Sequence, residues 1–131
     1  MNISGYSRKD IGILGEKMAV EYLRRRDFSI IDRNISRLTG ELDIVAKKGK
    51  TLHVVEVKAV RCKEFPRKDA TPDSYHPANN LHAYKIRKVA RTAEWYVLNI
   101  GWKGEWQIDG ALVWLREHDS RAYVQYYPQI L

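Results

Sequence analysis

Two short runs of residues around a polar turn decide the fold of this chain. They read GELDIVA at residues 40–46 and LHVVEVK at residues 52–58, and the segment between them, KKGKT, contains a glycine. Runs rich in β-branched and apolar residues on either side of such a segment predict two strands joined as a β-hairpin. We take this hairpin as the centre of the fold.

Three ionisable side chains lie inside the predicted hairpin, at Asp43, Glu56 and Lys58. Because side chains alternate between the two faces of a strand, Glu56 and Lys58 are expected to share one face, about 7 Å apart along the chain. Asp43 lies between Leu42 and Ile44 in the partner strand, although strands normally avoid aspartate. Charged groups are costly within a sheet unless they pair with one another or bind a metal ion.

These charges have two explanations. In the first, Asp43 and Glu56 hold one Mg²⁺, a hard cation that takes oxygen ligands and keeps several waters. Lys58 then lies beside the metal, where it can position a water or stabilise charge that develops on a substrate phosphate. In the second, the three side chains form a salt bridge on a solvated face of the sheet. The spacing alone does not decide between the two.

The motifs resemble the D…(D/E)xK signature of restriction-endonuclease-like nucleases. More narrowly, Gly15-Glu16, then Gly40–Ala46, then Val55–Lys58 resemble the YraN-type family of small bacterial proteins. That family has a predicted nuclease fold akin to archaeal Holliday-junction resolvases, and the resemblance covers the chain from about residue 8 onward. It implies a DNA phosphodiester hydrolase that uses Mg²⁺ or Mn²⁺, with branched or otherwise structured DNA as one candidate substrate.

The resemblance also assigns roles to individual residues. Asp43 and Glu56 would hold the metal ion, and the Val57 carbonyl would complete its shell. Lys58 would orient the nucleophile, and Glu16, on the packing face of the predicted first helix, would assist the metal. A carboxylate bonded by a nearby arginine is the alternative for Glu16. All four side chains are present, which favours the enzyme over a non-catalytic nucleic-acid-binding module of the same fold.

Composition narrows the class of protein. The 131 residues suit a single domain, residues 1–131, and 23 Lys and Arg against 16 Asp and Glu give a formal net charge of +7. This excess favours a nucleic-acid partner, and the resemblance favours DNA over RNA. A single cysteine and the lack of a signal-peptide segment or long apolar run predict a cytoplasmic protein with no membrane association. The oligomeric state is left open, with a homodimer as one option.

The remaining pattern predicts the element order α-β-β-β-α-β-β. We expect a loose tail at residues 1–6, helices over Ser7–Arg26 and Leu81–Asn99, and strands over Phe28–Asn34, the two hairpin runs, Glu105–Leu115 and Ala122–Ile130. An antiparallel three-strand meander, a crossover helix and a returning strand give a mixed β-sheet flanked by helices. This α/β arrangement is the core of restriction-endonuclease-like folds.

Six basic side chains are candidates for contact with a phosphate backbone: Arg33, Arg37, Arg61, Lys85, Lys88 and Arg91. The first two precede the Asp43 run, the third opens a long basic loop predicted over residues 61–80, and the last three lie on the second helix. Solvated surface charge is the alternative for each. Asp109, embedded in a predicted strand before Gly110, indicates either a bulge or a structural carboxylate that is hydrogen-bonded.

Overall fold

The structure, a computed structural model, describes residues 1–66 and 83–131, with side chains in the second helix described from residue 87. Within these residues the elements are α1 (Arg8–Arg25), β1 (Ser29–Arg37), β2 (Gly40–Lys48), β3 (Thr51–Cys62), α2 (Ala83–Asn99), β4 (Glu105–Arg116) and β5 (Ala122–Tyr127). The predicted order and the mixed α/β class are confirmed. Neither described helix has the length and apolarity that a membrane crossing requires.

One five-stranded sheet carries the fold, in the spatial order β1-β2-β3-β4-β5. The first three strands are antiparallel, β4 runs parallel to β3, and β5 returns antiparallel to β4. A parallel pair requires a crossover connection, and the segment that contains α2 supplies it. The strand that carries Glu56 and Lys58 is therefore the central one, held by a neighbour on each side.

The two helices cover opposite faces of the sheet. On the face that we call the α1 face, Ile44 and Val55 pack with residues of α1. On the other, the α2 face, Val45 and Val54 pack with residues of α2. The core thus forms two apolar layers, one on each side of the sheet, and β3 is buried from both directions.

Helix α1 approaches the sheet most closely at Gly15. A Cβ atom placed there would lie 2.4 Å from the Cβ of Ala59 in β3, a distance that excludes any side chain at this position without a shift. Gly12, almost one turn earlier in the helix, makes no such approach, since a Cβ there would have nothing within 4 Å. Of these two glycines, only Gly15 is required by the packing of α1 on the sheet.

Two predicted strand boundaries are corrected. Residues 35–37 were expected to begin a loop, but β1 continues through them and pairs with β2 as far as Arg37↔Gly40. Strand β3 continues to Cys62 because β4 accompanies it to that point. The predicted basic loop therefore begins later than residue 61, and its larger part, from residue 67, lies outside the described residues.

The segment at residues 1–6 is also more ordered than the pattern indicated. Ile3 is fully buried, and its N–H donates a hydrogen bond of 2.8 Å to the carbonyl of Glu117. The Arg61 guanidinium donates to the carbonyls of Ser4 and Tyr6 at 3.1 and 2.9 Å. These contacts overturn the expectation of a loose tail, since they fasten the segment to β3 and to the turn after β4.

Candidate functional site

The hairpin ladder ends just before Asp43. Strands β2 and β3 pair only as far as Ile44↔Val55, although one further step would place Asp43 opposite Glu56. At this point the Asp43 Oδ2 accepts a hydrogen bond of 2.8 Å from the Val57 N–H. In a regular ladder this amide would bond to a main-chain carbonyl of β2. Here a side-chain oxygen of β2 takes the place of that carbonyl, and the two strands separate.

Strand β2 also changes face at Asp43. Leu42 packs in the layer on the α2 face, whereas Ile44 packs in the layer on the α1 face. Residues two apart in a regular strand share a face, so the alternation is broken between them. This irregularity explains how an aspartate can lie inside a strand without being buried in either apolar layer.

The neighbouring strand β1 changes face at the same level. Arg33 pairs with Ile44 and Ile35 pairs with Leu42. Arg33 bonds to Glu16 of α1, whereas Ile35 packs in the layer on the α2 face. The residue between them, Asn34, has a left-handed backbone with a φ of 53°. We call this paired irregularity, Asn34 in β1 and Asp43 in β2, the face reversal.

Asp43 lines an open groove of about 440 Å³ between α1 and the sheet, which we call the α1 groove. The charged residues that line it are the acids Glu16, Glu41 and Asp43 and the bases Lys9 and Arg33. The Arg33 guanidinium donates from Nε and Nη2 to Glu16 Oε1 at 3.3 and 3.2 Å. This ion pair matches the alternative of an arginine-bonded carboxylate for Glu16, and it keeps that carboxylate at the groove wall.

Glu56 and Lys58 alternate along β3 with Val57 and Ala59, which contribute to the α1 groove. The Glu56 side chain is buried, whereas Lys58 is exposed. Lys58 makes no ion pair within 4.0 Å of another residue in the described ranges, so the salt-bridge explanation is not seen for this lysine. The ammonium group is therefore available to a ligand at the exposed part of the strand.

The carboxylates do not form a three-ligand metal cluster. Within residues 1–66 and 83–131, no three His, Cys, Asp or Glu side chains converge in this way. The N–H and C=O of a residue in an extended strand point toward the same neighbouring strand, so the Val57 carbonyl faces the gap next to Asp43. Asp43, Glu56 and this carbonyl offer only oxygen donors, which is the donor type that Mg²⁺ takes together with several waters. The donor type therefore suits Mg²⁺. Glu56 shares a face of β3 with Val54, on the α2 face, so its carboxylate would reach this gap from the side opposite the α1 groove that Asp43 lines.

The other basic candidates are dispersed over the structure. Arg33 lines the α1 groove, whereas Arg37 and Arg91 line a second groove on the α2 face. Arg61 is engaged with the N-terminal segment. Lys88 is half-buried on α2, and Lys85 lies in the first turn of α2 with a side chain outside the described part of the chain.

Asp109 is a fully buried structural carboxylate, as one of its two predicted explanations states. It accepts hydrogen bonds from Gln107 Nε2 at 2.7 Å and from the Gln129 N–H at 2.9 Å, and its Oδ2 lies 2.6 Å from His53 Nδ1. The Tyr126 hydroxyl donates to the same oxygen. Burial, followed by this hydrogen bond, raises the pKa of Tyr126 far above its usual range. The predicted bulge is absent, since β3 and β4 pair regularly there.

Sequence reasoning missed Asn34 and Trp95. Asparagine is disfavoured in strands, so its place between Arg33 and Ile35 was a usable signal for an irregularity. Trp95 carried no such signal, because an aromatic residue on an amphipathic helix is usually part of the core. Its contact with Arg37, whose Cζ lies 3.8 Å from the ring centroid, joins two distant parts of the sequence.

Comparison with known proteins gives the family. Residues 15–119 match the family described as uncharacterised protein family UPF0102. A UPF0102 protein of Campylobacter lari is 38% identical over 98 residues, which cover 75% of this chain and 78% of that protein. One of Syntrophotalea carbinolica is 40% identical over 92 residues, covering 70% and 68% respectively. The matched range includes Glu16, Arg33 and the hairpin, and the chain belongs to the UPF0102, or YraN-type, family.

Proposed function

We propose that this protein is a metal-dependent phosphodiester hydrolase that acts on nucleic acid, with DNA as the first candidate, and that its core is restriction-endonuclease-like. The observation that carries the proposal is the hydrogen bond from the Val57 N–H to Asp43. It joins the two halves of the D…ExK pattern at the point where β2 and β3 separate. The bond places the Asp43 carboxylate beside the backbone of the ExK run, next to the gap that the Val57 carbonyl faces.

The arrangement of elements supports the same proposal. The meander β1-β2-β3, the crossover through α2 and the parallel pairing of β4 with β3 are the features expected of that core. Glu16 of α1 lies at the wall of the groove that Asp43 also lines. The residues picked out by the family resemblance on α1 and β2 therefore meet in space, although 26 positions of the sequence separate them.

The proposed metal ligands are Asp43, Glu56 and the Val57 carbonyl. A Mg²⁺ or Mn²⁺ ion bound there would supply Lewis-acid stabilisation of phosphate charge and a more acidic water. Lys58 contributes a preorganised positive charge beside β3, where it orients the nucleophile and stabilises developing negative charge. Arg33 keeps Glu16 at the groove wall and, with 41% of its side chain exposed, can contact a phosphate at the same time.

A non-cleaving nucleic-acid-binding module is the second candidate. Two observations favour it: the described residues contain no three-carboxylate cluster, and Glu16 is bonded to Arg33. In such a module Lys9 and Arg33 of the α1 groove would bind phosphates, and the carboxylates would serve the fold.

The metal site is tested by thermal unfolding with and without Mg²⁺ or Mn²⁺. We expect the ion to raise the melting temperature of the wild type and to have no such effect on the Asp43→Asn/Glu56→Gln double variant. The matched control is Glu94→Gln/Glu105→Gln, which removes two exposed carboxylates elsewhere and should keep the response. An unchanged response in the first double variant would place the ion at another site.

Cleavage is then assayed on duplex, flap, single-stranded and four-way-junction DNA with the same ions. The hydrolase proposal expects metal-dependent cleavage of at least one substrate by the wild type and none by the Asp43→Asn/Glu56→Gln variant. Binding to these substrates without any cleavage would favour the non-cleaving module instead.

A further inference from the structure

A second groove, of about 750 Å³, opens on the other side of the sheet, and we call it the α2 groove. It lies between the β1–β2 turn and helix α2, and its lining residues are Ser36, Arg37, Leu38, Thr39, Arg91 and Trp95. The Thr39 and Thr92 hydroxyls are 2.7 Å apart, and Thr92 is fully buried. The turn is therefore fastened to α2, and the groove has a fixed floor.

The side chains of this groove match the chemistry of a nucleotide. The Arg37 Cζ lies 3.8 Å from the Trp95 ring centroid, so a planar cation is stacked on an aromatic ring, and Arg37 itself is exposed. Unpaired nucleobases stack on aromatic rings and on guanidinium planes, and arginine also binds phosphate. Among the described residues of the lining, both ionisable side chains, Arg37 and Arg91, are cationic. The groove thus combines a stacking platform with positive charge.

A base inside a duplex cannot use this platform, because both of its faces are already stacked on neighbouring base pairs. The ligand that fits is an unpaired nucleotide. Leu38, whose side chain is completely exposed, adds an apolar surface beside the platform that a base could cover.

The position of the two grooves leads to the same ligand. Strand β1 is an edge strand, and its Arg33 faces the α1 groove while its Arg37 faces the α2 groove. These residues are about 13 Å apart along the strand and, because of the face reversal, on opposite sides of the sheet. A chain that reaches both grooves must bend sharply around this edge. Duplex DNA, with a persistence length of about 150 base pairs, resists such a bend, whereas a single strand does not.

We propose that the α2 groove binds an unpaired nucleotide, with its base stacked on the Arg37–Trp95 pair and its phosphate close to Arg91. The same strand continues around the edge of β1 into the α1 groove. This second step rests on the proposed function, and it names the substrate class as nucleic acid with a single-stranded segment, such as a flap or an open junction.

Binding is measured by fluorescence anisotropy without divalent metal, so that no cleavage intervenes. The probes are an oligothymidylate of about 12 nucleotides, the same oligomer with abasic sites, a blunt duplex, and the RNA counterpart of the single strand. We expect the wild type to bind the single strand more tightly than the duplex. Arg37→Lys keeps the charge and loses the plane, and Trp95→Leu removes the ring. Each should weaken binding of the single strand at least about fivefold and leave duplex binding unchanged.

Lys50→Gln is the matched control, since it removes an exposed cation from the turn at the other end of β2. It should weaken single-strand and duplex binding equally and only slightly. If Arg37→Lys binds the oligothymidylate as the wild type does, or if abasic sites have no effect, the Arg37–Trp95 pair is surface packing and the inference is overturned. Because Arg37 is exposed, this variant remains a fair test even if Trp95→Leu fails to fold.

The outcome is independent of the proposed hydrolase. Loss of single-strand binding in these variants, in a protein that never cleaves, would support the groove and contradict the hydrolase. Metal-dependent cleavage by a protein whose binding is unaffected in either variant would support the hydrolase and contradict the groove. A preference for RNA over DNA, or the reverse, supports the groove in both cases and identifies the sugar that it accepts.

Discussion

Asp43 occupies a strand position that sheets normally avoid, and the contact made by its carboxylate gives the reason. Its Oδ2 accepts the Val57 N–H at a level where β2 turns away from β3, so the aspartate keeps a main-chain donor satisfied while the strands separate. A hydrophobic residue could not do this. The charge of Asp43 and the irregularity of β2 therefore have the same cause. Asn34, with its left-handed backbone, is the matching irregularity in β1 and completes the face reversal.

Asn34 gives a direct test of the face reversal. Glycine adopts left-handed backbone freely, whereas a Cβ-bearing residue without a local hydrogen bond loses about 1–2 kcal/mol there. We expect Asn34→Gly to keep the wild-type free energy of unfolding, and Asn34→Ala to lower it by about 1 kcal/mol relative to Asn34→Gly. Urea denaturation of the three proteins measures the difference. Equal stability of the Ala and Gly variants would mean that residue 34 is not left-handed in solution.

Lys58 is proposed to act mainly in the cleavage step rather than in binding of nucleic acid. It is exposed on β3 and makes no ion pair with another described residue, so its removal should disturb the fold little. Removing a preorganised charge that acts mainly in the transition state typically costs on the order of 10²–10³ in rate. We expect Lys58→Ala to keep nucleic-acid affinity within about threefold while losing most cleavage. Both quantities are measured on one substrate, with Lys50→Ala as control.

If affinity and cleavage fall together in Lys58→Ala, this lysine binds the ground-state phosphate and has no separate role in chemistry. If a cleaving wild type loses nothing, the role taken from the family resemblance does not apply to this chain.

At the scale of elements, one close contact sets the position of α1. Gly15 allows the helix to approach β3 at Ala59, and Glu16 follows immediately in the sequence. The helix therefore holds Glu16 close to the sheet and to the Asp43 carboxylate, which lines the same α1 groove. The position of Glu16 in the α1 groove therefore depends on the packing of its neighbour Gly15 against Ala59.

The two glycines of α1 should respond in opposite directions to the same substitution. Gly15→Ala places a methyl group 2.4 Å from the Ala59 Cβ, and such overpacking typically costs about 1–3 kcal/mol. Gly12→Ala meets open space and should stabilise the protein by up to about 1 kcal/mol, because alanine is the better helix former. Thermal or urea unfolding gives both values.

The pair Gly15→Ala/Ala59→Gly supplies the control for this contact. It restores the missing space, so it should recover part of the stability lost in Gly15→Ala alone. A double variant no more stable than the single one would show that the helix does not contact β3 at this point.

At the scale of the whole molecule, the formal net charge is +7, and arginines line grooves on both faces of the sheet. Arg33 lies at one groove and Arg37 and Arg91 at the other, and both grooves meet at the edge strand β1. The field of these three arginines acts on both sides of one edge and attracts a polyanion to that edge rather than to a single flat face, although carboxylates also line the α1 groove.

Salt dependence measures this field. We expect the affinity for nucleic acid to fall linearly with salt on logarithmic axes, with a slope of roughly one unit per phosphate contact. Replacing Lys85, Lys88 and Arg91 together by Gln should flatten the slope, whereas replacing Lys50 and Lys103, at the opposite end of the sheet, should leave it nearly unchanged. A salt-independent affinity, or no binding at low salt, would contradict a phosphate-binding role for these residues.

The hairpin, the order of elements and the mixed sheet could be predicted from the chain alone, because they depend on local periodicity and on turn residues. The candidacy of Asp43, Glu56 and Lys58 followed from the same local pattern, since charges inside apolar strands stand out. Burial of Ile3 and the extension of β1 could not be predicted in this way, because their partners, Glu117 and β2, act across the fold.

Tertiary structure alone decided how the candidate site is assembled. The Arg33–Glu16 pair joins a helix to a strand, the Arg37–Trp95 stack joins a turn to a helix far along the sequence, and the face reversal requires two strands to turn over together. Each depends on positions that are distant in the chain and become neighbours only when the sheet and the helices pack. For that physical reason, the local sequence was enough to identify the candidate charged residues, whereas only the packing determines which groove each of them faces.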